Sequence, residues 1–75
     1  MPHIIVKLWP GHSEEQKAQL AERLVKDGVE VLGKGADAFS VAIEEVSPEE
    51  WAERVYKPEI LKNLDKLYKK PGYKM

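Results

Sequence analysis

The sequence predicts an α/β fold, a parallel β-α-β unit followed by C-terminal helices. Three observations lead there. His3 to Trp9 alternates in hydropathy with period two. From Ser13 to Gly33 the apolar residues recur at three- and four-residue steps, and Phe39 to Val46 returns to period two.

The first strand sets Ile4, Val6 and Leu8 on one face against Ile5, Lys7 and Trp9 on the other, in a run rich in β-branched residues. Pro10-Gly11 breaks it. Ser13 then opens a helix with a capping box, its hydroxyl accepting from the Gln16 amide while the Gln16 side chain reaches back. Leu20, Ala21, Leu24, Val25, Gly28, Val31 and Leu32 form the expected buried stripe, and Gly33 and Gly35 stop it. In the second strand Phe39, Val41 and Ile43 alternate with Ser40, Ala42 and Glu44. A helix of this length between two strands is a crossover, so the strands run parallel and the connection is right-handed. Ser47 and Pro48 mark a second helix start, with Ser47 as N-cap, Pro48 at the first helical position and Glu50 completing a capping box. Pro58 is expected to reset the chain before a third helix carrying Ile60, Leu61, Leu64, Leu67 and Tyr68, which Pro71-Gly72 ends.

Residues 1–75 read as a single domain, without internal repeat or linker. A chain of 75 residues has a thin core, and with no cysteine it has no disulfide to compensate. A second copy would extend the two strands to a four-stranded sheet about a two-fold axis and remove an open edge, so a homodimer is the minimal assembly. Hydrophobic content of 43%, charged content of 33% and a net charge of −1 describe an ordinary soluble protein, for which nucleic acid is not an expected partner. With no basic N-terminal segment leading into a long apolar run, and no apolar run of bilayer length, the expectation is a cytoplasmic protein without a membrane partner. Six lysines stand against Glu59 and Asp65 from Lys57 onward, either as a solvated face or as a surface that draws anionic substrates.

The familiar catalytic signatures are absent. There is no thiolate, no nucleophile elbow, no phosphate loop at Gly33-Lys34-Gly35 and no paired histidine spacing for a metal, so no cofactor is implied. Pro2 is the unusual residue. Once Met1 is removed it is a free secondary amine, a group that titrates near about 8 and that apolar surroundings push towards neutrality, where a general base works best. Taken alone, a proline ahead of a strand is an ordinary starter residue.

Pro2-His3-Ile4, Ser13-Glu14-Glu15-Gln16-Lys17, Phe39-Ser40-Val41-Ala42-Ile43 and Ser47-Pro48-Glu49-Glu50-Trp51, in that order, make the chain resemble the 4-oxalocrotonate tautomerase family along essentially its whole length. The ending Leu67-Tyr68-Lys69-Lys70-Pro71-Gly72-Tyr73-Lys74-Met75 is similar to the dimeric PptA-type subfamily. The resemblance implies the tautomerase-like fold, a homodimer with a hexamer as the alternative, and a cofactor-independent keto-enol tautomerase. In that reaction Pro2 takes a proton from an enol hydroxyl and returns it to carbon.

Substrate binding departs from the family prototype, which clamps a dicarboxylate with two arginines where this chain has His12 and Ser40. The only arginines, Arg23 and Arg54, fall inside predicted helices. The expected substrate is therefore the enol of a 2-oxo monoacid with an aromatic or dienyl tail, such as phenylenolpyruvate. Trp51 occupies the aromatic position that lines the family pocket, and Trp9 and Phe39 could add apolar wall. Each has a plainer alternative: core or interface packing for Trp9, Phe39 and Trp51, an exposed turn for His12, a half-exposed strand face for Ser40. Two functional alternatives stay open, another proline-dependent activity of the superfamily (dehalogenase, hydratase or decarboxylase) and a non-catalytic dimeric binding module.

Overall fold

The computed structural model describes residues 1–75, which separate into two compact units, Met1–Glu45 and Val46–Met75. The first unit contains strand β1 (His3–Leu8), helix α1 (Glu14–Leu32), a 3-10 turn (Ala36–Ala38) and strand β2 (Ser40–Glu45). The strands pair in parallel, with His3 opposite Ser40 and Leu8 opposite Glu45. This is the β-α-β arrangement of the sequence reading, each strand trimmed by a residue or two at its ends.

Both ends of α1 follow from local chemistry. The Ser13 hydroxyl accepts from the Gln16 amide at 3.1 Å and the Gln16 side-chain oxygen accepts from the Ser13 amide at 2.9 Å, so the capping box is complete. Glu14 and Glu15 add negative charge at the positive end of the helix. Gly33 closes the other end in the left-handed region at φ 69°, donating its amide to the Val29 carbonyl at 3.0 Å.

The half-buried face of α1 runs through Lys17, Ala21, Leu24, Val25, Gly28 and Val29. Leu20, Val31 and Leu32, expected in that stripe, are exposed. Val31 and Leu32 keep the phase of the stripe, seven residues after Leu24 and Val25, so their exposure goes with their place in the last turn of α1, beyond the contact of Gly28 with Phe39. Gly28 is where α1 meets Phe39 most closely: a Cβ there would lie 2.3 Å from the Phe39 ring. The glycine lets the aromatic ring seat against the helix backbone.

In the second unit α2 (Pro48–Trp51) starts at Ser47 but without the expected capping box. The Ser47 hydroxyl donates instead to Glu50 Oε1 at 3.1 Å, an acceptor also approached by Arg54 Nη1 at 3.4 Å. The carboxylate offers the hydroxyl a stronger, charge-assisted partner. The chain continues directly into a π-helical segment, Ala52–Leu61, which passes through Pro58. The expected third helix is thus not formed. A proline disrupts an α-helix by its missing N–H and by the clash of its ring with the carbonyl four residues back, and the wider π turn relieves that clash. The Lys62 amide bonds to the Lys57 carbonyl at 3.2 Å, one residue further back than in an α-helix. Asn63 then ends the segment, its side-chain amide reaching the Pro58 and Glu59 carbonyls at 3.4 and 3.2 Å. Beyond it only a 3-10 turn, Leu64–Lys66, remains regular, and Tyr68 stands in solvent.

The C-terminal tail packs on this second unit through Tyr73. Its hydroxyl accepts from Trp51 Nε1 at 3.1 Å, and its ring lies 5.7 Å from the ring of buried Tyr56 at a tilt of 39°. Val46, Val55 and Tyr56 are the buried apolar residues. In the first unit nothing is fully buried in the single chain, and Ile5 and Trp9 keep 51% and 49% of their surface exposed.

Overpacking against Phe39 should cost Gly28→Ala about 1–3 kcal/mol, of which alanine's better helix propensity returns roughly 1 kcal/mol, leaving a net loss of up to about 2 kcal/mol. Urea unfolding checks this, and the loss should largely vanish in a Phe39→Leu background. Tyr73→Phe should cost about 1 kcal/mol in the same assay. Combined with Trp51→Phe it should add nothing, because the two side chains share the lost hydrogen bond.

Candidate active site

The N-terminal ends of β1 and β2 bring together residues that are 37 positions apart in the chain. The Ser40 amide donates to the Pro2 carbonyl at 3.2 Å, which extends the ladder one residue beyond β1 and holds Pro2 beside Ser40. Pro2 is half-buried. Next to it, His3 Nδ1 and Ser40 Oγ lie 2.6 Å apart, on the two residues paired in the register. Phe39 precedes Ser40 and turns its ring onto Gly28 of α1, the packing alternative weighed for it. Of the six candidate residues, then, Pro2, Phe39 and Ser40 converge at one end of the sheet.

Trp9 and His12 lie at the other end. Five residue steps separate His3 from Leu8, so β1 alone places them about 17 Å from the Pro2 end. His12 borders a shallow cavity of about 90 Å³ with Leu8, Gln16, Lys17 and Leu20. Lys17 is committed as a cation there. Its ammonium meets Glu14 at 2.9 Å and Glu45 at 3.1 Å, and those two hydrogen bonds, Glu14 first, raise its pKa above the ordinary lysine value. A lysine held charged in this way cannot act as a base near neutrality.

Trp51 belongs to the second unit, where its indole N–H is directed to Tyr73. The same unit holds an open apolar depression of about 540 Å³ bordered by Tyr56, Leu61, Leu64, Pro71, Tyr73 and Met75. Arg54 is paired with Glu50 on its own helix. No three His, Asp or Glu side chains converge where a cation would sit. No helix is long and apolar enough to cross a membrane.

Two partners were missed in the sequence. His3 reads as a strand residue, and the expected strands aligned from their first residues set it against Phe39; the observed register, one residue later, is what pairs it with Ser40. Tyr73 was read as part of the chain ending, and no local pattern ties it to Trp51, 22 residues earlier.

Comparison with known proteins agrees with this geometry. Residues 2–55 match the model of the family described as "Tautomerase enzyme". Tautomerase PptA of Pectobacterium atrosepticum is 47% identical over 74 residues, covering 97% of either chain. Tautomerase PptA of Cronobacter sakazakii is 43% identical over 76 residues, covering all of both. Among solved structures, TomN, a 4-oxalocrotonate tautomerase homologue of the tomaymycin biosynthetic pathway, superposes with a TM-score of 0.65 at 40% identity over 67% of this chain and 77% of its own. DmpI from Helicobacter pylori superposes with a TM-score of 0.58 at 41% identity over 61% of this chain and 78% of its own. With its parallel β-α-β unit and matches along its whole length, the chain belongs to the 4-oxalocrotonate tautomerase family, is of the PptA type, and is an isomerase.

Proposed function

We propose that this tautomerase converts the enols of 2-oxo monoacids to their ketones, with the secondary amine of Pro2 as general base and acid once Met1 has been removed. The observation that carries the reading is the hydrogen bond from the Ser40 amide to the Pro2 carbonyl, which anchors residue 2 to the sheet by its carbonyl side. Its nitrogen is then the amino terminus of the processed chain. With Met1 attached that nitrogen is an amide without basic character, so processing creates the base.

In the reaction the neutral amine takes the enol O–H proton, the oxygen lone pair closes the carbonyl, and the carbon–carbon π pair takes a proton from the ammonium at C3. One proton has moved from oxygen to carbon and the amine is restored. No cofactor enters the balance. A secondary amine beside apolar side chains suits both halves, because desolvation lowers its pKa and brings donation and acceptance into the same range.

Ser40 and His12 are the proposed polar anchors for the carboxylate, with Trp9 and Trp51 as apolar wall, while Phe39, its ring seated on Gly28, supports the sheet from the helix side. Pro2 and His12 sit at opposite ends of β1, so a single copy of the first unit cannot place both on one small ligand. A homodimer resolves this if the second copy supplies Trp9 and His12, and it covers the half-exposed Ile5 and an open strand edge. The two positions that hold arginines in the family prototype are His12 and Ser40 here, which favours one carboxylate on the substrate over two. We assign the working protein to the cytoplasm, as one domain of residues 1–75.

Ketonisation of phenylenolpyruvate, followed in the ultraviolet beside intact-mass measurement, tests the reading. The active protein should lack the mass of Met1, and Pro2→Ala should lower kcat/KM by about 10²-fold or more. Turnover unchanged in Pro2→Ala, or retained when an uncleaved extension blocks the N-terminus, would overturn it.

A further inference from the structure

His3 and Ser40 form a side-chain pair that no step of the proton transfer uses. They face each other across the parallel ladder, both are exposed, and His3 Nδ1 lies 2.6 Å from Ser40 Oγ. The Ser40 backbone is itself held by its bond to Pro2, so the hydroxyl is carried on a fixed stem.

We propose that His3 is a positioning residue that makes Ser40 a hydrogen-bond donor to the anionic oxygen of the substrate. The inference rests on the reading of Ser40 as a carboxylate anchor. A serine hydroxyl has one proton and two lone pairs. If that proton is given to Nδ1, Ser40 can offer a ligand only lone pairs, and a carboxylate or enolate oxygen, which also has only lone pairs, is repelled. If Nδ1 carries the hydrogen and donates to Ser40 Oγ, the serine proton is released towards the ligand. Only the second arrangement binds an anion. Substrate binding therefore selects the imidazole with hydrogen on Nδ1, and His3 polarises the hydroxyl it supports.

This gives a direction that variants can read. Asparagine places an N–H donor about where Nδ1 stands, whereas aspartate places only acceptors there. With the processed full-length protein and phenylenolpyruvate, His3→Ala should raise KM about fivefold and leave kcat within about twofold, the size of one hydrogen bond. Ser40→Ala should do the same, and the double variant should lose no more than either single one. His3→Asn should return KM to within about twofold of the parent, and His3→Asp should not.

Equal rescue by asparagine and aspartate would overturn the inference, as would losses that multiply in the double variant. A raised KM in Ser40→Ala with none in His3→Ala would also overturn it while leaving Ser40 as an anchor. If neither variant moves KM but Pro2→Ala still abolishes turnover, the Ser40 anchor and the inference fall together and the proline mechanism stands.

Discussion

The amide of Ser40 and the carbonyl of Pro2 meet at 3.2 Å, and much else in the first unit depends on that ladder. It sets the register that pairs His3 with Ser40 and Leu8 with Glu45. It carries Phe39 to the place where its ring fills the gap left by Gly28. It also fixes residue 2 while leaving the nitrogen side of that residue uncommitted to the sheet. A one-residue slip would turn every side chain of β1 to the opposite face. The alternation of Ile4, Val6 and Leu8 with more exposed neighbours opposes such a slip, so hydrophobic patterning and the placement of the proposed base share one cause.

That ladder has only two strands, and a two-stranded sheet under one helix is marginal as an isolated structure. The first unit shows it: none of its residues is fully buried, and Val31, Leu32, Ile5 and Trp9 leave apolar surface uncovered. The second unit is better closed, with Tyr56 buried beneath Tyr73. An apolar sheet unit in want of cover, with candidate site residues at both ends of one strand, is the pattern expected when a second copy completes both the fold and the site.

Features governed by local chemistry were legible in the sequence. The box of Ser13 and Gln16, the stop at Gly33 and the two period-two strands each depend on a few neighbouring residues. The misreadings came where a distant or competing partner decided. Ser47 had the right spacing for a box, but the Glu50 carboxylate captured its hydroxyl. Pro58 carried a helix-breaking signal that the widened turn absorbed. Val31 and Leu32 have the phase of the stripe but stand in the last turn of α1, where they remain exposed. Within the candidate site the strand-end positions of Pro2, Phe39 and Ser40 follow from the sequence pattern, whereas the ties of Ser40 to His3 and of Trp51 to Tyr73 appear only with the fold.

The chemistry comes down to whether the nitrogen of Pro2 is a titrating amine in the working enzyme. Nuclear magnetic resonance of protein labelled with ¹⁵N-proline, followed with pH beside kcat/KM for phenylenolpyruvate, measures this directly. The proposed mechanism predicts a Pro2 nitrogen that titrates, with a midpoint matching the acid limb of the rate profile and below the ordinary α-amino range of about 7.7–8.0. Full activity from a protein whose Pro2 nitrogen remains an amide, or titrates independently of the rate, would contradict it.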